Sequence, residues 1–222
     1  MAQTLKGDFH MHTFYSHDCM TSPEALVRRC NDVGLDCIAV TDHNSLAGAQ
    51  AVKAVAGFTV ILGEEIKSTA GEITGLFLTE EIPAGLPPIE TAKRIKDQGA
   101  LVSVPHPFSG YGRSSLAEGS LTELLPYVDI IETFNARTMS PASNVLARAF
   151  AKEHGVAATA VSDAHTLREL GRTFTELPAF DGTPEGFKEA LGEARLTERP
   201  AGRFVHVYST INKLRRKRFT IP

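Results

Sequence analysis

The chain has 222 residues, 42% of them hydrophobic and 22% charged, a composition that excludes a disordered or collagen-like polymer and lets one globular unit bury a core without staples. Its 23 Lys and Arg against 26 Asp and Glu leave a net charge of −3, so the balance gives no support to a nucleic-acid backbone or an anionic membrane as partner. Three cysteines, Cys19, Cys30 and Cys37, form neither a CxxC pair nor an even disulfide framework, and no apolar run has the length of a signal core or a membrane span; reduced thiols and a cytoplasmic location are expected, with no membrane.

Short β-rich apolar runs alternate with amphipathic stretches, the pattern of βα units around a largely parallel sheet. Leu5 to Phe9 is the first predicted strand. Ser22 as N-cap, Pro23 at the first helical position, Glu24 in the first turn and a terminal glycine predict a helix from Pro23 to Gly34. Cys37 to Val40 reads as a buried strand, Ala47 to Ala56 as a small-residue helix, and Phe58 to Leu62 and Ile73 to Leu78 as strands. Pro88 to Gln98 is predicted helical, Ala100 to Val104 extended, Leu121 to Leu125 a short helix and Val128 to Thr133 a strand. Pro141 to His154 carries Val145, Leu146, Ala149 and Phe150 on one face and closes at Gly155. Val156 to Val161, Phe174 to Leu177 and Phe204 to Tyr208 read as strands, and Pro184 to Leu191 as a helix capped by Thr183. No linker or repeat divides residues 1–222, so one α/β domain of about seven βα units is expected, closer to a barrel than to two folds. The basic run at Lys213, Arg215, Arg216, Lys217 and Arg218 reads as a solvated helix end or tail, with a substrate-facing role as the alternative.

Six of the eight histidines, His10, His12, His17, His43, His106 and His165, lie just after predicted strands. In a parallel α/β barrel the loops after the strands converge on one face, so residues distant in sequence meet there. Those strand ends carry Asp8, His10 and His12 in GDFHMHT, His17 and Asp18 in YSHD, Asp42 and His43 in VTDHN, Glu64 and Glu65 in LGEE, His106 in VPHP, Glu132 and Asn135 in IETFN, and Asp163 and His165 in VSDAH. Neutral imidazole and carboxylate together are a ligand set for zinc, iron and manganese, and a cluster of this size suggests more than one ion. His10 and His12, two apart on extended chain, point the same way, as do Asp163 and His165. Each motif alone has a bland reading: His-x-His arises by chance, Asp42 or Asn44 could cap a helix, and Asp163 could form an Asx turn. Their succession at separate strand ends favours a metal cluster. His154, in a last helical turn, and His206, alternating with apolar residues in a predicted strand, read as structural.

The order HxHT, TDH, GxE, PHP, DxH resembles the PHP family, named for polymerase and histidinol phosphatase, over Leu5 to about Leu177, leaving C-terminal βα elements and the basic tail beyond. The resemblance implies a distorted seven-stranded TIM-like barrel holding two or three divalent ions. It implies His10, His12, His43, a bridging glutamate, His106, Asp163 and His165 as ligands. Past the second histidine both His17 and Asp18 qualify; the likeness to an HTxYSxD form favours Asp18 and leaves His17 to face substrate. The Gly-x-Glu spacing selects Glu65, with Glu64 on the other face of the strand. Glu72 stands where many members carry a histidine, and a carboxylate can serve the same ions. Asn135 is a poor ligand, which leaves the third ion less supported than the first two.

Clustered divalent ions lower the pKa of water toward ~7, clamp phosphoryl oxygens and neutralise a leaving oxygen, so hydrolysis of a phosphate ester is the expected reaction. Asp18 and Asp163 could orient the nucleophile or relay its proton. Arg137, in FNAR, is the preferred phosphate anchor, followed by Arg172 and Arg168. The expected substrate is a small phosphomonoester or a nucleotide or short oligonucleotide phosphate, for which Tyr15, Phe108, Tyr111 and the basic tail could supply a groove. Alternatives are histidinol phosphate specifically, acyl or amide hydrolysis by the same metals, and a catalytically silent metal-stabilised binding or regulatory module.

Overall fold

The computed structural model describes residues 3–110, 115–116, 118–202 and 205–219, without the side chains of 118 and 216–219; Tyr111, Phe204, Arg216, Lys217 and Arg218 lie outside what it describes. Nine strands form one sheet: β1 (Thr4–Asp8), β2 (Cys37–Val40), β3 (Thr59–Ser68), β4 (Gly71–Leu76), β5 (Leu101–Val104), β6 (Ile130–Asn135), β7 (Ala157–Val161), β8 (Phe174–Pro178) and β9 (Arg195–Thr197). Seven helices accompany them: α1 (Pro23–Val33), α2 (Ala47–Val55), α3 (Pro88–Asp97), α4 (Glu118–Leu124), α5 (Pro141–His154), α6 (Pro184–Leu191) and α7 (Val205–Phe219).

The local signals act as their chemistry requires. Ser22 caps α1 by accepting from the Ala25 amide, and Gly34 ends it at φ 68, a left-handed conformation that costs glycine nothing. Thr183 caps α6 through the Gly186 amide. Neither Asp42 nor Asn44 caps α2, whose first amides, Leu46 and Ala47, are taken by Glu81 and Ser45.

The sheet runs β7-β6-β5-β4-β3-β2-β1-β8-β9. β1, β2 and β3 are parallel, as are β5, β6 and β7, but β4 is antiparallel to both its neighbours because a two-residue connection after β3 leaves no room for a crossover. β8 returns antiparallel to β1, and β9 pairs antiparallel with β8. The expected seven strands therefore become nine, with β8 and β9 filling the gap between β1 and β7. Across that gap β7 meets its neighbours through isolated contacts: the Thr175 hydroxyl bonds both the amide and the carbonyl of Ala160, the Ser162 amide donates to Asp8, and the His12 amide donates to the Ala164 carbonyl. This is a nearly closed, distorted barrel.

One end is stoppered. Phe187 of α6, fully buried, packs edge-on against Phe9 at 4.8 Å between centroids and joins Cys37, Leu76, Leu101 and Ile130, which lie at one level of the barrel. The site lies at the opposite end, where β1, β2, β5 and β7 finish. Further apolar clusters lie between the sheet and α1 and α2, and between the sheet and α3, α4 and α5. Residues 205–208, expected as a strand, are the first turn of α7; their apolar and polar alternation is too short to separate the two periods. β9 escaped the sequence reading because three residues carry no pattern. No described helix is long and apolar enough to cross a membrane.

Candidate metal centre

The site begins with the HMHT turn. Asp42 is buried and accepts from the amide and hydroxyl of Thr13 and from the hydroxyl of Ser16, folding residues 12–16 against β2. A Cβ on Gly48, at the start of α2, would collide with the Asp42 carboxylate and the Thr13 hydroxyl, which is why this small-residue helix can pack there. Cys19 donates its thiol to the carbonyls of His12 and His165 and so draws the loops after β1 and β7 together.

On this frame the ring nitrogens are oriented by what lies behind them. His10 Nδ1 donates to Glu132 at 2.6 Å, and Glu132 also accepts from the His106 amide and the Asn135 side chain. His12 Nδ1 donates to Ser16 Oγ, whose own proton goes to Asp42. With both rings neutral, each Nε2 presents a lone pair, and the two stand 3.1 Å apart with Glu65 at 3.5 and 3.6 Å and Asp163 at 3.7 and 3.4 Å. Facing lone pairs and carboxylates need a cation between them, so the donor set fits a divalent ion.

Glu65 belongs to more than one cluster. One oxygen lies 2.9 Å from His43 Nδ1 and the other 3.0 Å from His106 Nε2, with Glu72 3.8 Å from His106. A third group joins Asp18 to His43 Nε2 at 3.6 Å and to His165 Nε2 at 3.3 Å. Within this group Asp18 Oδ1 is buried without a hydrogen-bond partner, which suits a ligand atom. Four triads of side chains have ligand atoms close enough to share a cation: His10, His12 and Asp163; His12, His43 and His165; His17, Asp18 and His43; His43, Glu65 and Glu72.

Electrostatics follow from the crowding. Burial alone would lower His10, but the carboxylates of Glu132, Asp163 and Glu65 outweigh it and hold it well above the usual imidazole range. His43 is likewise held up against burial by Glu65 and Asp18, and His106 is pushed up to about 9 by Glu65. His12 is pushed down to about 3 by burial, with the charges of His165 and His43 adding to it. Burial would raise Asp18 and Asp163, yet the adjacent imidazoles of His165 and His43 on the first, and the charge of His10 on the second, hold both far below the carboxylate range. His106 and Asp163 also take left-handed backbone conformations, φ 31 and φ 53, a local cost tolerated where the side chain must be aimed.

The structure thus gathers His10, His12, Asp18, His43, Glu65, Glu72, His106, Asp163 and His165 at one place. His17 sits at the rim, 62% exposed, with Nε2 4.0 Å from Asp18. Glu64 faces away and accepts from the Ile82 amide. Three expected anchors are corrected. Arg137 lines the cavity, but its guanidinium is buried and committed to Glu169 at 2.8 Å, Ser209 and the Val205 carbonyl, so it braces α7 to the loop after β6. Arg172 and Arg168 are exposed and do not line the cavity. His206, read as structural, is on α7 and faces the site, its Nε2 donating to the Arg137 carbonyl at 3.0 Å.

Glu132, placed at a strand end by the sequence without an assigned role, orients His10 from behind. Glu169 was not found by sequence reasoning; it accepts from the His165 amide and Thr166 hydroxyl, a T-x-x-E spacing whose signal was present in HTLRE. Helix α7, which brings Ser209, Thr210 and Lys213 to the cavity, left no usable signal.

Comparison with known proteins agrees with this centre. Residues 8–101 match the PHP domain and residues 141–196 the PHP-associated segment. Uncharacterized protein MJ0417 of Methanocaldococcus jannaschii is 37% identical over 173 residues, covering 77% of this chain and 69% of that protein. A two-domain protein from Bacteroides vulgatus containing a predicted PHP-like metal-dependent phosphoesterase superposes with a TM-score of 0.70 at 22% identity, over 96% of this chain and 70% of the other. An amidohydrolase from Chromobacterium violaceum gives 0.60 at 16% identity, over 88% and 98%. The chain belongs to the PHP family and shares its fold with these two structures. Its His, Asp and Glu clusters are able to bind metal ions.

Proposed function

We propose that the protein is a metal-dependent phosphoesterase acting on a small phosphomonoester or on a nucleotide or oligonucleotide end. The observation that carries this reading is the pair of Nε2 atoms of His10 and His12, both rings oriented from behind at Nδ1 and both facing Glu65 and Asp163. His10, His12 and Asp163 with Glu65 would hold one ion, Glu65 and Glu72 with His43 or His106 a second, and Asp18 and His43 with His165 a third; zinc, iron and manganese all suit these donors. Bound there, such ions acidify water and offset the charge of phosphoryl and leaving oxygens.

The chain's own groups do the rest. Asp18 and Asp163, held ionised, accept a hydrogen bond from the attacking water and orient it, and their lowered pKa values make them poor proton carriers. His17 faces substrate from the rim. The cavity, about 760 Å³, has the size of a small-ligand site; Lys67 and Lys213 line it beside Asp18, Glu65, Glu72 and Asp163, so its attraction for a phosphate would come from the bound cations with the lysines assisting. Three free buried thiols support a cytoplasmic compartment.

Metal analysis of the purified protein followed by a screen with p-nitrophenyl phosphate, histidinol phosphate, nucleoside bisphosphates and a short 5′-phosphorylated oligonucleotide tests the reading. Turnover in saturating Mn²⁺ that His12→Ala reduces by at least about a hundredfold is expected, since that change opens one ion's coordination shell. Activity unchanged in the variant removes the mechanism, and no turnover of any ester favours a silent metal-stabilised module.

A further inference from the structure

Helix α7 lies beyond both segments that match the family, yet it forms a wall of the cavity. His206, Ser209, Thr210 and Lys213 recur at the spacing of one helical face and all border the cavity, while Val207, Tyr208, Ile211 and Leu214 are exposed on the rest of the helix. The helix is fixed from below. Arg137 donates to Ser209 and to the Val205 carbonyl, its own carbonyl accepts from His206, and the Ala201 amide donates to the Ala136 carbonyl. The loop after β6 therefore sets where α7 sits.

Among the described residues bordering the cavity, the lysine and arginine cations are Lys67, Arg137 and Lys213. Arg137 is consumed by Glu169 and α7; Lys67, on β3, lies 3.5 Å from Glu72, as far as Lys213 lies from Asp18, but is the less exposed of the two lysines, at 37%. Lys213 is about half exposed, at 47%, and its Nζ lies 3.5 Å from Asp18 Oδ2, itself 3.3 Å from His165 Nε2. That separation is longer than a charge-assisted hydrogen bond, so the ammonium retains donors for an incoming anion. It lies one carboxylate away from the ligand cluster, on the cavity side.

We propose that Lys213, presented by the Arg137-braced helix α7, contacts the phosphoryl oxygens of the substrate and sets its affinity. The kinetic half of this inference rests on the phosphoesterase reading; the binding half does not. A lysine suits the task because its point charge follows an anion on a flexible stem, and a C-terminal helix can vary without disturbing the ligands.

The test uses the full-length, metal-loaded protein, with metal content measured for each variant. Calorimetric titration of inorganic phosphate gives Kd, and p-nitrophenyl phosphate gives KM and kcat. Lys213→Met is expected to weaken phosphate binding and raise KM roughly tenfold, the loss of one charge-assisted hydrogen bond, with Lys213→Arg recovering most of it. Arg215→Met, on the same helix and exposed, is the control and leaves Kd as it was. Lys213-dependent phosphate binding in a protein that hydrolyses no ester keeps the inference and removes the phosphoesterase reading. The inference is overturned by a Lys213→Met Kd equal to wild type at equal metal content, by an equal loss in Arg215→Met, by absence of phosphate binding in the wild type, or by extra metal uptake in Lys213→Met, which would make the lysine a competitor for the ion.

Discussion

At the residue scale, the centre depends as much on the groups behind the ligands as on the ligands. Glu132 touches no cavity surface, yet it takes the proton of His10 Nδ1, the amide of His106 and the Asn135 amide group, and so fixes two candidate ligands at once. Glu132→Gln keeps the shape and removes the charge; metal affinity is expected to fall about ten- to hundredfold, the usual loss when such a partner is changed. Competition against a chromophoric chelator measures this, and an unaltered affinity would deny Glu132 its role. The same titration has a pH signature. His10 and His43 are held up by neighbouring carboxylates, and His106 lies at about 9, so in the metal-free protein these rings carry protons at neutral pH that an incoming ion must displace. Apparent affinity is therefore expected to climb with rising pH up to at least about 9, the His106 value, with proton release on binding.

At the scale of elements, the helices are fastened to the sheet by a few polar contacts whose loss can be read separately. Asp129, just before β6, is buried and accepts from Lys96 of α3, Lys188 of α6 and the Val102 amide of β5. Burial would raise its pKa, but those three donors outweigh burial and lower it. A carboxyl whose folded pKa is depressed contributes stability above its unfolded value, and that contribution disappears as the pH falls through the folded one. Asp129→Asn is thus expected to cost about 1–2 kcal/mol at neutral pH, discounted because both lysines are partly exposed. Urea titrations of the two proteins should begin to converge as the pH falls below about 3.9, the ordinary Asp value, and coincide only below the depressed folded value; a difference independent of pH would assign the loss to packing. The helix caps belong to this scale too. Ser22, Gly34 and Thr183 were legible because a cap is decided within four residues, whereas the first turn of α7 was misread because its partners, Arg137 and Ala136, are about seventy residues away.

At the scale of the whole molecule, the barrel's open end collects ionisable side chains that repel, desolvate and strain one another until cations fill the centre. Ions that bind only the native state add stability by mass action, roughly 3 kcal/mol at a free concentration a hundred times Kd. For a chain of this length that corresponds to a rise in Tm of roughly 5–10 °C. Differential scanning calorimetry with Mn²⁺ or Zn²⁺ against chelator should show the rise in the wild type and most of it lost in His12→Ala. Equal Tm values in both conditions would mean that the cluster does not hold ions in the folded protein.

Chain order alone was enough to place His10, His12, His43, Glu65, His106, Asp163 and His165 at strand ends, because the two-residue period of extended chain and the turns after apolar runs are local properties. The same reasoning put Glu64 and Glu65 on opposite faces of one strand, as they lie. What local pattern cannot encode is which charge has already found a partner. Arg137 read as a phosphate anchor and is a brace held by Glu169 and Ser209; His206 read as structural and faces the cavity; Lys213 read chiefly as part of a solvated tail and lies beside Asp18. Those outcomes depend on α7 folding back across the barrel mouth, a long-range closure decided by packing and by hydrogen bonds between distant segments.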